Sequence, residues 1–114
     1  MTASAITSGV DPRILQIAAA IRAEIPQSDV RLFGSRARGQ GRPDSDADLL
    51  IIVPDAWLAQ HSRLVVLGRL SRKLSSHRLP LDLLLYSQSE VAARSSSRQA
   101  VTTVACREGI VLDG

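Results

Sequence analysis

With 114 residues, 45% of them hydrophobic, the chain has material for one modest core and not for two. Its net charge of +3 comes from thirteen arginines and one lysine set against eleven acids, so planar, forked donors suited to phosphate or carboxylate dominate its cationic chemistry. One Phe, one Tyr and one Trp argue against a base-stacking platform, and the lone Cys106 excludes an internal disulfide or a cysteine-based metal site. No apolar run approaches the ~18 residues of a membrane span, and the amino end has neither the basic start nor the unbroken apolar stretch of a secretory signal. These features predict a cytoplasmic domain over residues 11–114 behind a disordered leader, residues 1–10.

Asp11-Pro12 marks a helix start, with a side-chain cap followed by proline at the first helical position. Ile14, Ile17, Ala18, Ile21 and Ile25 then recur with helical spacing, and Pro26 ends the run. Val30 to Phe33 reads as a strand that Gly34 breaks. Ser35 to Arg38 suits one helical turn, and residues 39–43 form a polar arm. Asp48 to Val53 is an apolar strand without alternation, as expected of a central strand covered on both faces. Asp55 is placed to cap a helix whose inward stripe would be Trp57, Leu64, Leu67, Leu70 and Leu74. Leu81 to Tyr86 is a third strand, with Asp82 as its odd member. Ser87 and Glu90 have capping-box spacing, opening a helix to about Arg107 with Val91, Ser95, Thr102 and Cys106 inward. Ile110 to Leu112 supplies an edge strand. The order predicts an α/β (α+β) domain in which helices pack a small mixed sheet.

The chemistry concentrates at strand ends. A glycine-serine turn after a strand offers backbone N–H groups to phosphate oxygens, although Gly34-Ser35 alone is a weak signal. Arg31, Arg36, Arg38 and Arg42 fall in a stretch without acids, followed directly by Asp44, Asp46 and Asp48. Asp46 and Asp48, two apart, face one side if the chain is extended there. A third carboxylate, Asp82, costs several kcal/mol if buried bare among leucines, so it belongs at an exposed strand end or beside a cation. If the strands of Asp48 and Asp82 are neighbours, three carboxylates converge, and at ~5 Å and an effective dielectric near 20 each pair repels by roughly 3 kcal/mol, which a divalent ion relieves. Magnesium, with oxygen ligands and retained water, suits such a set, whereas zinc would want histidine or cysteine. His61 and His77 lack neighbouring ligands in sequence. A two-metal in-line displacement would use Asp46 and Asp48 as bridging ligands and Asp82 as ligand or general base on the attacking side. No Gly-Lys-Ser/Thr follows Gly39 and no GxGxxG opens a helix, so P-loop and dinucleotide-binding readings fall away.

Gly34-Ser35-Arg36-Ala37-Arg38-Gly39, then Ser45-Asp46-Ala47-Asp48-Leu49, then Asp82 in a later strand, resemble the minimal nucleotidyltransferases (MNT) of the DNA polymerase beta superfamily, over nearly the whole chain. The resemblance implies a nucleotidyltransferase (palm-like) fold in which Gly34 and Ser35 bind the triphosphate of ATP or another NTP. It implies Mg²⁺ held by Asp46, Asp48 and Asp82, the catalytic carboxylates, with Asp82 also activating the acceptor hydroxyl. Arg36 and Arg38 match the family's basic, phosphate-side positions. Similar transferases carry a second helical domain for the acceptor, and its lack here implies an acceptor from outside. Members of this kind are commonly the antitoxin of HEPN–MNT toxin–antitoxin pairs, transferring AMP to a tyrosine of a helical HEPN toxin. Two other readings stand beside this one: transfer to a small molecule such as an aminoglycoside, and a non-catalytic antitoxin that acts by binding. Nucleic-acid binding ranks last, because a triphosphate and an acidic partner account for the arginines.

Overall fold

The computed structural model describes residues 10–34, 36–39, 45–95 and 100–112. In chain order these form α1 (Pro12–Glu24), β1 (Asp29–Phe33), β2 (Ala47–Val53), α2 (Asp55–Ala59), α3 (Arg63–Leu74), a 3-10 turn (Ser75–His77), β3 (Leu81–Ser87), α4 (Gln88–Arg94), α5 (Val101–Glu108) and β4 (Ile110–Val111). The expected leader lies outside the described residues up to residue 9. The sheet order is β3-β2-β1-β4, with β2 parallel to β3, and β1 antiparallel to both β2 and β4. The expected mixed sheet with helices is therefore the architecture observed. No helix of the described residues is long and apolar enough to cross a membrane.

Strand β2 is central and its pleat divides the molecule. Ala47, Leu49, Ile51 and Val53 join the main core with Ile14, Ile17, Ile21, Val66, Leu70 and Leu74, so α1 and α3 cover that face. Leu50 and Ile52 point the other way, into a smaller cluster with Ala105, Phe33, Leu84, Tyr86, Val91 and Cys106 beneath α4 and α5. Burial on both faces explains the absence of polar alternation in this strand. Asp48 has the parity of Leu50 and Ile52, so the pleat assigns it to the α4/α5 side of the sheet.

Local chemistry fixes the ends of these elements. The Asp11 carboxylate accepts from the Arg13 N–H at 2.9 Å, and Pro12 stands in the first turn of α1, the expected start. The Ser87–Glu90 capping box forms in both directions, with the Ser87 N–H donating to Glu90 Oε1 at 2.8 Å and the Glu90 N–H to Ser87 Oγ at 3.2 Å. The parallel β2–β3 pair needs a crossover, and residues 54–80 provide it with α2 and α3.

Three expectations are corrected. The helix after Pro54 breaks after Gln60, and Ser62 starts a new one by accepting from the Val65 N–H. Leu70 and Leu74 are buried and Trp57 and Leu67 pack against the core as expected, whereas Leu64, in the first turn of the new helix and off that stripe, is 80% exposed and Val66 takes the inward place. Asp55 does not cap α2; its carboxylate accepts from the Ser89 N–H at 2.9 Å and ties α2 to the start of α4. The last helix is two, α4 and α5, with Thr102 buried, Cys106 half-buried and Ser95 exposed. Residues 96–99 of the expected helix lie outside the described residues. Of the two histidines, His61 stacks on Trp57 with ring centroids 3.9 Å apart.

Two predictions follow from this packing. A Cβ on Gly109 would stand 2.1 Å from the Ala105 carbonyl oxygen and 3.0 Å from that of Leu32, both backbone. Gly109→Ala is expected to lose about 1–3 kcal/mol of stability, read as a lower urea midpoint. The Glu90 carboxyl is held below its ordinary value, first by the Ser87 N–H and then by Arg63. A depressed carboxylate stabilises above its unfolded pKa, and that contribution disappears as pH falls through the folded value. Urea midpoints of the native chain and Glu90→Gln are accordingly expected to differ at neutral pH and to converge in acid.

Candidate active site

Asp48 and Asp82 come together through strand register. They are direct partners in the parallel β2–β3 pair, and Phe33 is the partner of Asp48 on the antiparallel side. Register partners on neighbouring strands share a face, so the row Asp82, Asp48, Phe33 crosses the sheet on the α4/α5 side, at the start of both carboxylate-bearing strands. Asp82 is exposed, as expected of a bare carboxylate at a strand end, whereas Asp48 is only partly accessible. Asp46 is exposed and immediately precedes β2.

The electrostatics agree with this convergence. The Asp48 carboxyl is pushed above its ordinary value, first by burial, then by the charges of Asp82 and Asp46, while Arg38 pulls it back. Residues far apart in sequence thus act on one carboxyl group. All three carboxylates are hard oxygen donors, the ligand chemistry that a divalent cation takes, and their repulsion falls on the most buried member. Among the described residues, no three His, Cys, Asp or Glu side chains stand close enough together to hold a metal ion as they are placed.

The turn after β1 is shaped around Asp48. Gly34 has φ +78°, and a Cβ there would lie 2.2 Å from Asp48 Oδ2. Only glycine lets the backbone pass this close to the carboxylate at that dihedral. The Gly34 carbonyl accepts from the N–H groups of Ala37 (3.1 Å) and Arg38 (3.3 Å), which closes the turn. Ser35, expected to bind phosphate, lies outside the described residues, as do Arg42 and Asp44.

The two arginines of the turn are placed differently. Arg38 is exposed and acts electrostatically on Asp48. Arg36 is largely covered, its side chain 10% exposed, and Nε and Nη2 both donate to the Ser45 carbonyl, at 3.0 and 2.9 Å. Its Nη1 stands 3.8 Å from Asp11 Oδ2. Asp11 was legible only as a helix cap, and the carbonyls of Ser45 and Pro80 that hold the strand starts carry no side-chain signature. The Pro80 carbonyl accepts from the Ala47 N–H at 2.9 Å.

Comparison with known proteins supplies the family. A family model for the nucleotidyltransferase domain matches residues 14–101, most of the chain. The chain belongs to the nucleotidyltransferase domain family. Solved structures share the fold of this nucleotidyltransferase domain. One, of a toxin-antitoxin with AMP-PNP, is 23% identical, with 90% of this chain and 72% of that one covered and a TM-score of 0.58. A protein of Sulfolobus solfataricus described as a nucleotidyltransferase is 17% identical over 97% of this chain and 86% of its own, with a TM-score of 0.58. A protein described as a minimal nucleotidyltransferase is 26% identical over 90% of this chain and 97% of its own, with a TM-score of 0.56. No curated protein gives a significant match.

The two left-handed glycines of the turn separate strain from contact. Gly39 has φ +73° and open space where a Cβ would stand, whereas Gly34 has the Asp48 carboxylate there. Both Gly34→Ala and Gly39→Ala are expected to lose about 1–2 kcal/mol of stability in urea titrations. Only Gly34→Ala is expected also to abolish nucleotidyl transfer from an α-labelled NTP.

Proposed function

We propose that this nucleotidyltransferase domain transfers a nucleoside monophosphate, AMP from ATP, to a hydroxyl of a partner protein. The single observation that carries the reading is the register pairing of Asp48 with Asp82 beside the Gly34 turn. In this reading Asp82 would accept a proton and Asp48 would ligate a metal, beside a backbone turn suited to phosphate oxygens.

Asp46, Asp48 and Asp82 would hold Mg²⁺, and the backbone at Gly34-Ser35 would face the triphosphate. Bound there, the metal supplies neutralisation of phosphate charge and a lowered pKa for the attacking hydroxyl. The exposed Asp82 carboxylate takes the proton of the acceptor hydroxyl. The acceptor oxygen forms a bond to the α-phosphorus as the bond to the β-phosphate bridging oxygen breaks, and pyrophosphate leaves. Asp48, partly covered and close against Gly34, would be the ligand nearest the backbone turn. Arg38, exposed at the same site, offers a forked donor to the phosphate chain.

A hydroxyl on a partner, the tyrosine of a helical HEPN toxin, is the acceptor we infer, with the domain serving as antitoxin. The fold shared with a toxin-antitoxin structure containing AMP-PNP supports this choice, as does the resemblance carried by Gly34-Ser35 and Asp46-Ala47-Asp48. The test is co-incubation of the full chain with its helical partner, α-labelled ATP and Mg²⁺, followed by intact mass. The expected result is a mass increase of one adenylate on the partner, removed by chelation. Asp48→Asn and Asp82→Asn are each expected to cut transfer by about 10³-fold, corresponding to several kcal/mol of lost charge stabilisation. A partner left unmodified, with protection from toxicity unchanged in Asp46→Asn/Asp48→Asn, would overturn transfer in favour of binding alone. Label on an aminoglycoside instead would replace the protein acceptor by a small molecule.

A further inference from the structure

The residue before the first site carboxylate is held by a side chain with a geometric role of its own. Arg36 directs Nε and Nη2 at one oxygen, the Ser45 carbonyl, from a largely covered position. Such a forked, charge-assisted contact fixes a backbone group in direction as well as distance. On the other side of Asp46, the Ala47 N–H donates to the Pro80 carbonyl at 2.9 Å. Asp46 lies outside the regular ladder of β2, yet the peptide groups on both sides of it are anchored. One anchor belongs to the turn after β1 and the other to the residue that leads into β3, the strand of Asp82. A third link runs from Arg36 Nη1 to Asp11, the cap of α1, whose carboxylate also pairs with Arg13 at 2.7 Å. The guanidinium is thus braced from behind by the helix start.

We infer that Arg36 is a positioning residue: by gripping the Ser45 carbonyl it sets the direction in which Asp46 enters the carboxylate cluster, and Arg38 is the arginine of the turn that meets phosphate. The inference uses the proposed transfer reaction only for what the cluster serves. A lysine cannot reproduce the grip, because its ammonium is a single rotatable point charge without the planar fork.

The test uses the full chain and compares Arg36→Gln, Arg36→Lys and Arg38→Gln. Tb³⁺ alone, without nucleotide, is titrated by its directly excited luminescence as a probe of the carboxylate cluster. Removing a group that orients a metal ligand costs about 10–100-fold in affinity, and that loss is expected for Arg36→Gln, with little recovery in Arg36→Lys. Arg38→Gln is expected not to weaken Tb³⁺ binding. In transfer assays Arg36→Gln is expected to lower kcat with KM for the nucleotide unchanged, and Arg38→Gln to raise KM. Full Tb³⁺ affinity and kcat in Arg36→Lys would overturn the inference by reducing the role to charge. Unchanged Tb³⁺ binding with a raised KM in Arg36→Gln would overturn it in favour of a phosphate contact. Failure of both Arg36 variants to fold would overturn it by assigning the residue to the fold as a whole. Should the native chain transfer nothing while Arg36→Gln still loses Tb³⁺ affinity, the positioning role stands and the transfer reaction falls.

Discussion

Two like charges held side by side are the constraint around which this domain is arranged. Parallel register makes Asp82 the neighbour of Asp48, and a fold gains nothing in stability from that juxtaposition. The cost is moderated by exposure, since Asp82 stands in solvent and Asp46 precedes the strand, leaving Asp48 as the one partly covered member. Stability comes instead from the opposite face of the same strands, where Leu49, Ile51 and Val53 are fully buried beneath α1 and α3. The pleat lets one strand serve both demands, with alternate residues devoted to packing and to chemistry.

The turn after β1 mediates between these demands. Gly34 brings backbone against Asp48, Arg36 reaches across to Ser45, and Arg38 faces the carboxylates, so consecutive positions have separate tasks. The two arginines are alike in chemistry, and their surroundings distinguish them. One is largely covered, between a backbone carbonyl and a helix cap, and the other is exposed and acts on the charge of Asp48.

Much of this was legible in the chain because its causes are local. The Asp11-Pro12 start, the Ser87–Glu90 box and the apolar run of β2 each depend on residues a few positions apart, and each forms as read. The convergence of Asp82 with Asp48 was legible only indirectly, through the cost of a carboxylate among leucines, since register between distant strands has no local signature. The break before Ser62 was missed because serine within an amphipathic run reads equally as surface or as cap, and only packing against the sheet selects the second. The grip of Arg36 on Ser45 was invisible for a deeper reason: its acceptor is a backbone carbonyl, which every residue possesses.

The match to the family begins at residue 14 and stops at residue 101, yet the forces that complete the domain reach past both limits. Upstream, Asp11 braces Arg36 and caps α1. Downstream, β4 extends the sheet, the Leu112 N–H donates to the Val30 carbonyl at 2.8 Å, and Arg22 donates to the Leu112 carbonyl. A domain trimmed to the borders of family similarity would keep every candidate catalytic carboxylate and lose the mortar at both margins. The contacts that hold both margins of the domain therefore extend beyond the stretch that matches the family.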